Sequence, residues 1–240
     1  GSGVQVPPSP PSSPLFVRNS GAGSVLGIQI RRSPVYTVQM SADLFSHFPL
    51  RKGRTHESCG PGATGFALAL AGQGADQGSG AVMWVRPGWD GSALNPVGFG
   101  AYLDPQRLLL ARPKTHAETL AVAEEALRSG AVPLVVVELN AAIDLTSGRR
   151  LQLAAEAGKS TGLCLIPEAM GSNAAETRWH CAPLFDADAG AADSTLQRWA
   201  LIKNKSGTIA AWDVRWNAET RRVIVVSEAG KRQGAAGAAG

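Results

Sequence analysis

Residues 60–67 read Gly-Pro-Gly-Ala-Thr-Gly-Phe-Ala. A nucleotide-binding P-loop reads G-x-x-x-x-G-K-[ST]. Its main-chain N–H groups cradle phosphate, its lysine reaches the outer phosphates, and its hydroxyl binds Mg²⁺. Gly60 and Gly65 hold the two glycine positions, but Phe66 stands in the lysine's place and Ala67 in the hydroxyl's. Neither side chain can carry charge or ligate a metal. Taken alone, the loop reads as a Gly-rich turn before a helix, since two glycines at this spacing recur by chance among 28. The other reading is a relic nucleotide site that kept its shape and lost its chemistry. A binding protein is then expected rather than an ATPase, with no catalytic residue, no cofactor and no metal.

Other constellations point the same way. His56-Glu57 is not a zinc-protease motif, because Gly60 sits where the second histidine belongs. The match to G-x-S-x-G, Gly158-Lys159-Ser160-Thr161-Gly162, leads from an expected helix into an expected strand, the reverse of a strand-to-helix nucleophile elbow, so a serine hydrolase of the α/β type has no support. His180-Cys181 falls in an alternating strand, which sends the two side chains to opposite faces. Asp186, Asp188 and Asp193 lack the spacing of a calcium loop. Cys59, Cys164 and Cys181 are an odd set without C-x-x-C, so neither a disulfide framework nor a zinc site is indicated. That usage fits a reducing cytoplasm. Trp212 and Trp216 share one face of a strand with Val214 between them, either as core or as a hydrophobic patch for a partner chain. Arg31-Arg32, Arg149-Arg150 and Arg221-Arg222 are basic pairs. Each is either ordinary solvated charge or a contact to phosphate or an acidic partner.

The elements that must position these residues follow from composition and pattern. The chain has 240 residues, 44% hydrophobic and 18% charged, which suits one globular domain with tails. No apolar run has the length of a membrane span, and the N-terminus lacks a signal-peptide pattern. The net charge of +4 is unevenly spread. Residues 1–58 carry six basic and two acidic residues, 59–196 nine and fourteen, and 197–240 eight and three. The basic ends could meet nucleic acid or an acidic surface. Residues 1–24 are Pro/Ser/Gly-rich and 230–240 Gly/Ala-rich, and both are expected to be disordered. Residues 25–48 are expected to form a strand and helix segment, and 49–229 the α/β domain. Helices are expected at 63–72, 116–129 and 147–157, the last ended by Gly158. Thr115 and Glu118 form a capping box for the second, and Gly130 stops it. Strands are expected at 81–86, 107–112, 132–139 and 161–166, then at 176–182, 196–203, 207–216 and 221–227. Alternation followed by a run of strands predicts a mainly parallel central sheet flanked by helices, with antiparallel C-terminal strands.

The surroundings of the loop resemble the RecA core. Gly53-Arg54 leads into a strand that ends in Gly60-Pro61 and the loop. Asp104-Pro105-x-Arg107-Leu108-Leu109-Leu110 follows in order. So do Ala126 to Val132 leading into Val135-Val136-Val137-Glu138, then Arg149 to Glu156, Gly162 to Ile166, and Leu201-Ile202-Lys203-Asn204-Lys205. The likeness runs from about residue 49 to about 216. Its departures are as informative. The Walker B acid is Glu138 rather than aspartate, and no carboxylate follows the second strand in Trp84-Val85-Arg86-Pro87-Gly88. The segments in place of the family's two DNA-binding loops, near 140–148 and 167–175, contain neither lysine nor arginine.

Among RecA-like groups that lack the ATPase, the chain resembles ImuA. The resemblance lies in Gly65-Phe66-Ala67-Leu68-Ala69-Leu70-Ala71, Val82-Met83-Trp84-Val85-Arg86, Leu145 to Gly158 and Ala174-Ala175-Glu176-Thr177-Arg178-Trp179. It implies an accessory role in damage-inducible (SOS) mutagenesis and translesion synthesis, beside ImuB and an error-prone polymerase. Candidate partner-binding residues are Trp212, Trp216, Arg221 and Arg222. The related SulA group implies the alternative of a cell-division inhibitor that binds FtsZ. A modulator of recombination that contacts RecA is a further alternative.

Overall fold

The computed structural model describes residues 43–73, 80–187 and 194–228. The tails at 1–24 and 230–240 and most of the 25–48 segment lie outside the described residues. Nine strands form one sheet: β1 (Thr55–Cys59), β2 (Val82–Val85), β3 (Leu108–Ala111), β4 (Leu134–Glu138), β5 (Thr161–Leu165), β6 (Thr177–Pro183), β7 (Gln197–Asn204), β8 (Ala210–Asn217) and β9 (Arg222–Glu228). Their order is β3-β2-β4-β5-β1-β6-β7-β8-β9. Strands β3 through β6 in that order run parallel, and β6 to β9 pair antiparallel. The expected α/β class, mainly parallel with an antiparallel C-terminal extension, is the one observed.

Burial explains which strands went where. β1 and β5 are buried at every position and β4 at all but its last. Such strands need helices on both faces, as the middle of a parallel sheet provides. β6 and β8 alternate buried and half-buried residues, so they bury one face and leave the other toward solvent. The helices are α1 (Ala63–Gly72), the short α2 (Pro96–Phe99), α3 (His116–Ser129) and α4 (Leu145–Gly158). Leu151, Ala154 and Ala155 of α4 and Ala123 and Leu127 of α3 pack one face of the sheet. α1 packs the other, together with Leu44, Phe48, Leu50, Phe99 and Leu103.

α3 has the expected ends. Thr115 Oγ1 accepts from Glu118 N–H at 3.1 Å, and Gly130 closes the helix at φ 66°. α4 departs at both ends. Asp144 caps it by accepting from Ser147 N–H at 2.6 Å, so the helix begins at Leu145 instead of Ser147. Gly158 does not stop it; Lys159 takes the left-handed conformation at φ 53°. Gly158 is needed for another reason. A Cβ there would overlap the Leu127 carbonyl oxygen, so the glycine lets the ends of α3 and α4 touch. β8 starts three residues later than expected, because Gly207, at φ 91°, belongs to the turn after β7.

Candidate functional site

The glycine loop lies between β1 and α1. In a P-loop the whole motif connects strand to helix. Here α1 begins at Ala63, the fourth motif position, so only Gly60, Pro61 and Gly62 remain as loop. Phe66 N–H donates to Gly62 O at 3.0 Å and Ala63 N–H to Gly60 O at 3.1 Å. The segment is wound into helix instead of wrapped around a ligand. Gly62 N–H donates at 2.8 Å to the carbonyl of Cys181 in β6. That amide is turned to the sheet, not to a phosphate.

The retained glycines have a packing role. Gly60 has φ 87°, and its absent Cβ would come within 2.5 Å of Cys181 O. At Gly65 a Cβ would overlap Gln197 Nε2, and at Gly62 one would lie 2.9 Å from Gln197 Oε1. Gln197 opens β7 and accepts from Trp199 Nε1–H at 3.0 Å. The loop is therefore smooth so that β6 and β7 can lie against it.

Phe66 is a fully buried core side chain. Its ring centroid lies 4.7 Å from Trp199, 5.3 Å from Trp179 and 5.5 Å from Phe48. Phe66 does not fill the open space beside the loop. It points between α1 and the antiparallel strands. A cleft of about 430 Å³ stays open at the C-terminal ends of β2, β4 and β5, lined by Ala63, Thr64, Arg86, Leu94, Glu138 and Ile166 among others. Open α/β sheets bind ligands at this end.

The floor of that cleft is a paired cluster of charges. Glu138 ends β4. Its Oε1 accepts from Trp84 Nε1–H at 2.7 Å, and its Oε2 meets the Arg86 guanidinium at 3.1 Å. The β2–β4 register sets Val85 beside Val137, so the next pair along is Arg86 and Glu138. Arg86 is 6% exposed and also donates to Asp90 Oδ2 at 3.1 Å and Ser92 Oγ at 2.7 Å. Hydrogen bonds from the Ser92 N–H and hydroxyl hold the Asp90 carboxyl below the usual carboxylate range. A Walker B acid must be free to hold a metal through water or directly. Glu138 is instead neutralised by a fixed cation. These residues do not fit a Mg²⁺-nucleotide. Arg86 is the residue of this cluster that sequence reading missed. Only the absence of a carboxylate there was legible, because its pairing with Glu138 depends on strand register.

The second loop position is also committed to structure. Lys203 Nζ donates to the carbonyls of Ser172, Asn173 and Ala175, and Lys205 Nζ to Ala174 O at 2.8 Å. Arg178 donates to Ser172 O at 3.1 Å and to the buried Glu57 at 2.7 Å, and Ser172 N–H donates to Glu57 at 2.7 Å. Burial pushes the Lys203 ammonium below its ordinary value. The Lys-Asn-Lys segment thus pins the loop after β5.

The other candidates are dispersed. Trp212 and Trp216 are 2% and 8% exposed, which corrects the reading of them as a docking patch. Trp216 stacks on Tyr102 at 5.1 Å and donates to Ala101 O at 2.9 Å, and Trp212 lies 5.9 Å from Trp179. The aromatic face of β8 is the side that α1 covers. Arg221 and Arg222 are exposed at the β8–β9 turn, Arg221 at φ 49°. His180 and Cys181 diverge: Cys181 is buried, while His180 Nε2 lies 3.2 Å from Glu168. All three cysteines are free and buried. Burial pushes the Cys164 thiol up to about 12. Among the described residues no group of three His, Cys, Asp or Glu could hold a metal, and no helix is long and apolar enough to cross a membrane.

No family model matches the chain. No curated protein matches it either. Among solved structures, the chain is similar to the crystal structure of SulA from Pseudomonas aeruginosa. Identity is 23% and the TM-score 0.39, over 47% of this chain and 97% of that one.

Proposed function

We propose that this chain is a non-catalytic adaptor built on a RecA-like frame, which acts by holding other proteins. The observation that carries this reading is the closed nucleotide apparatus. The lysine position is a core phenylalanine, the loop is packed by Gln197, and the metal-binding acid is bound to Arg86. Each change removes a separate part of the phosphoryl-transfer machinery, while the scaffold remains intact. An enzyme that had lost one part could be rescued by a partner; one that has lost three is a scaffold.

The sequence stretches that resemble ImuA point the adaptor to damage-induced mutagenesis, with an ImuB-like protein and an error-prone polymerase as partners. Affinity capture from DNA-damaged cells, read by mass spectrometry, tests this. Recovery of the mutasome proteins supports it. Recovery of FtsZ alone replaces it with a division inhibitor of the SulA type, and recovery of RecA alone with a recombination modulator.

A further inference from the structure

Among the described residues no helix covers the outer face of β7, β8 and β9. α3 and α4 lie on this side of the sheet, yet the cluster they bury holds no residue of β6 to β9. The strands are apolar in both of their alternating sets of residues. β7 reads Trp199-Ala200-Leu201-Ile202 and β9 Val223-Ile224-Val225-Val226. Trp199, Leu201 and Val223 belong to the core on the α1 side, whereas Ile202 is 45% and Ile224 47% exposed. A strand with one wet face alternates apolar and polar residues; a continuous apolar run marks a strand covered on both faces. The register sets the outer residues in rows. Ala200 lies opposite Ala211, and Arg198 opposite Asp213. Past the Leu201–Ala210 pair the next row is Ile202 and Ile209, the latter 49% exposed. Two isoleucines thus stand beside two alanines, two residues along the strands. The charges nearby are satisfied within the chain. Arg198 donates to both oxygens of Asp213, at 2.7 and 2.9 Å, and the Ser227 hydroxyl donates to Asp213 at 3.0 Å. Arg215 pairs with Asp186 at 2.6 Å.

We infer that this face packs against the same face of a second copy of the chain, in a two-fold dimer. The pattern is self-complementary. A two-fold axis between the two rows, and parallel to them, sets Ile202 of one copy over Ala200 of the other and Ile209 over Ala211. Large side chains then meet small ones in both directions, as close packing of two sheets requires. A two-fold contact uses the same patch twice, so an unpaired charge on it would meet its own kind. Here Arg198 and Asp213 neutralise each other one row out and form a polar rim. The opposite edge of the sheet does not suit a second copy. Leu109 and Leu110 of β3 are also exposed, but they lie between Arg107 and Arg112. Antiparallel pairing of two copies centred on those leucines would set arginine against arginine. The dimer stands whether or not the chain holds mutasome proteins.

Analytical ultracentrifugation of the full chain at submillimolar concentration tests this. A dimer is expected, and Ile202→Asp should weaken it by roughly tenfold or more, because the interface would bury an unpaired carboxylate. Leu110→Asp, on β3, should leave it unchanged. Ile202 and Leu110 are about half exposed in the single chain, so both variants keep the fold, which circular dichroism checks. A charge pair then tests the register. Ile202→Lys and Ala200→Asp should each be monomeric alone, and mixing the two proteins should restore a dimer, since position 202 of one copy faces position 200 of the other. A wild-type monomer at that concentration overturns the inference. So does a dimer that Ile202→Asp leaves intact or Leu110→Asp breaks, and so does a mixture that stays monomeric.

Discussion

Replacing Gly65 by alanine separates a phosphate loop from a packed turn. In α1 an alanine is intrinsically better than glycine by about 0.5–1 kcal/mol. The new Cβ, however, would overlap Gln197 Nε2, with Gln197 Cδ at 3.4 Å and Oε1 at 3.5 Å. The amide end of Gln197 must move aside. Doing so breaks its bond to Trp199 Nε1–H, whose residue is 2% exposed. An unpaired buried N–H costs about 1–3 kcal/mol. Gly65→Ala should therefore destabilise the domain by about 1–2 kcal/mol. In a Gln197→Ala background the overlap is gone and the indole bond is already lost. There the same Gly65→Ala change should stabilise by about 0.5–1 kcal/mol. Urea unfolding of the four proteins of this cycle gives the coupling directly. An unchanged or increased stability of Gly65→Ala with Gln197 present would refute the packing argument.

Three further outcomes follow. Phe66→Lys supplies a lysine at the motif position but places an ammonium among Phe48, Trp179 and Trp199. It should cost more than about 4 kcal/mol, as an uncompensated buried charge does, and should confer no ATP binding, both read by thermal melts with and without Mg-ATP. Arg86→Gln leaves Glu138 beside Asp90 without its cation and should cost about 3 kcal/mol. Adding Glu138→Gln should recover part of that loss in the same denaturation assay. His56 is 1% exposed, and burial lowers its pKa to about 4. The unfolded chain then takes up this proton below about pH 6.5 while the folded one resists until about pH 4. Stability should be full above pH 6.5 and fall by about 3 kcal/mol as pH drops to 4. A His56→Gln variant should lose that part of the slope, and an identical slope would show that His56 is not the source.

The parts of the fold set by local signals were legible in the sequence, and those set by register were not. α3 could be read to the residue, because Thr115, Glu118 and Gly130 are near neighbours of the helix they bound. The ends of α4 could not be read correctly. Gly158 looks like a stop, but its need for a bare Cα comes from Leu127, far away in sequence. The candidate site divides in the same way. The absence of a lysine and a hydroxyl was visible at Phe66 and Ala67. The contacts made around them were not, since Arg86 meets Glu138 only across β2 and β4, and Gln197 meets Gly65 only across β7 and α1. Trp212 and Trp216 show the limit of strand periodicity. Alternation placed them on one face, but only the position of α1 decides that this face is inside.

The most direct test of the proposal that this loop binds no nucleotide is titration of the full chain with a fluorescent ATP analogue and Mg²⁺, alone and with captured partners present. The proposal predicts no saturable signal and no phosphate release in either case. Saturable binding that unlabelled ATP displaces, and that Gly60→Ala abolishes in a still-folded protein, would contradict it.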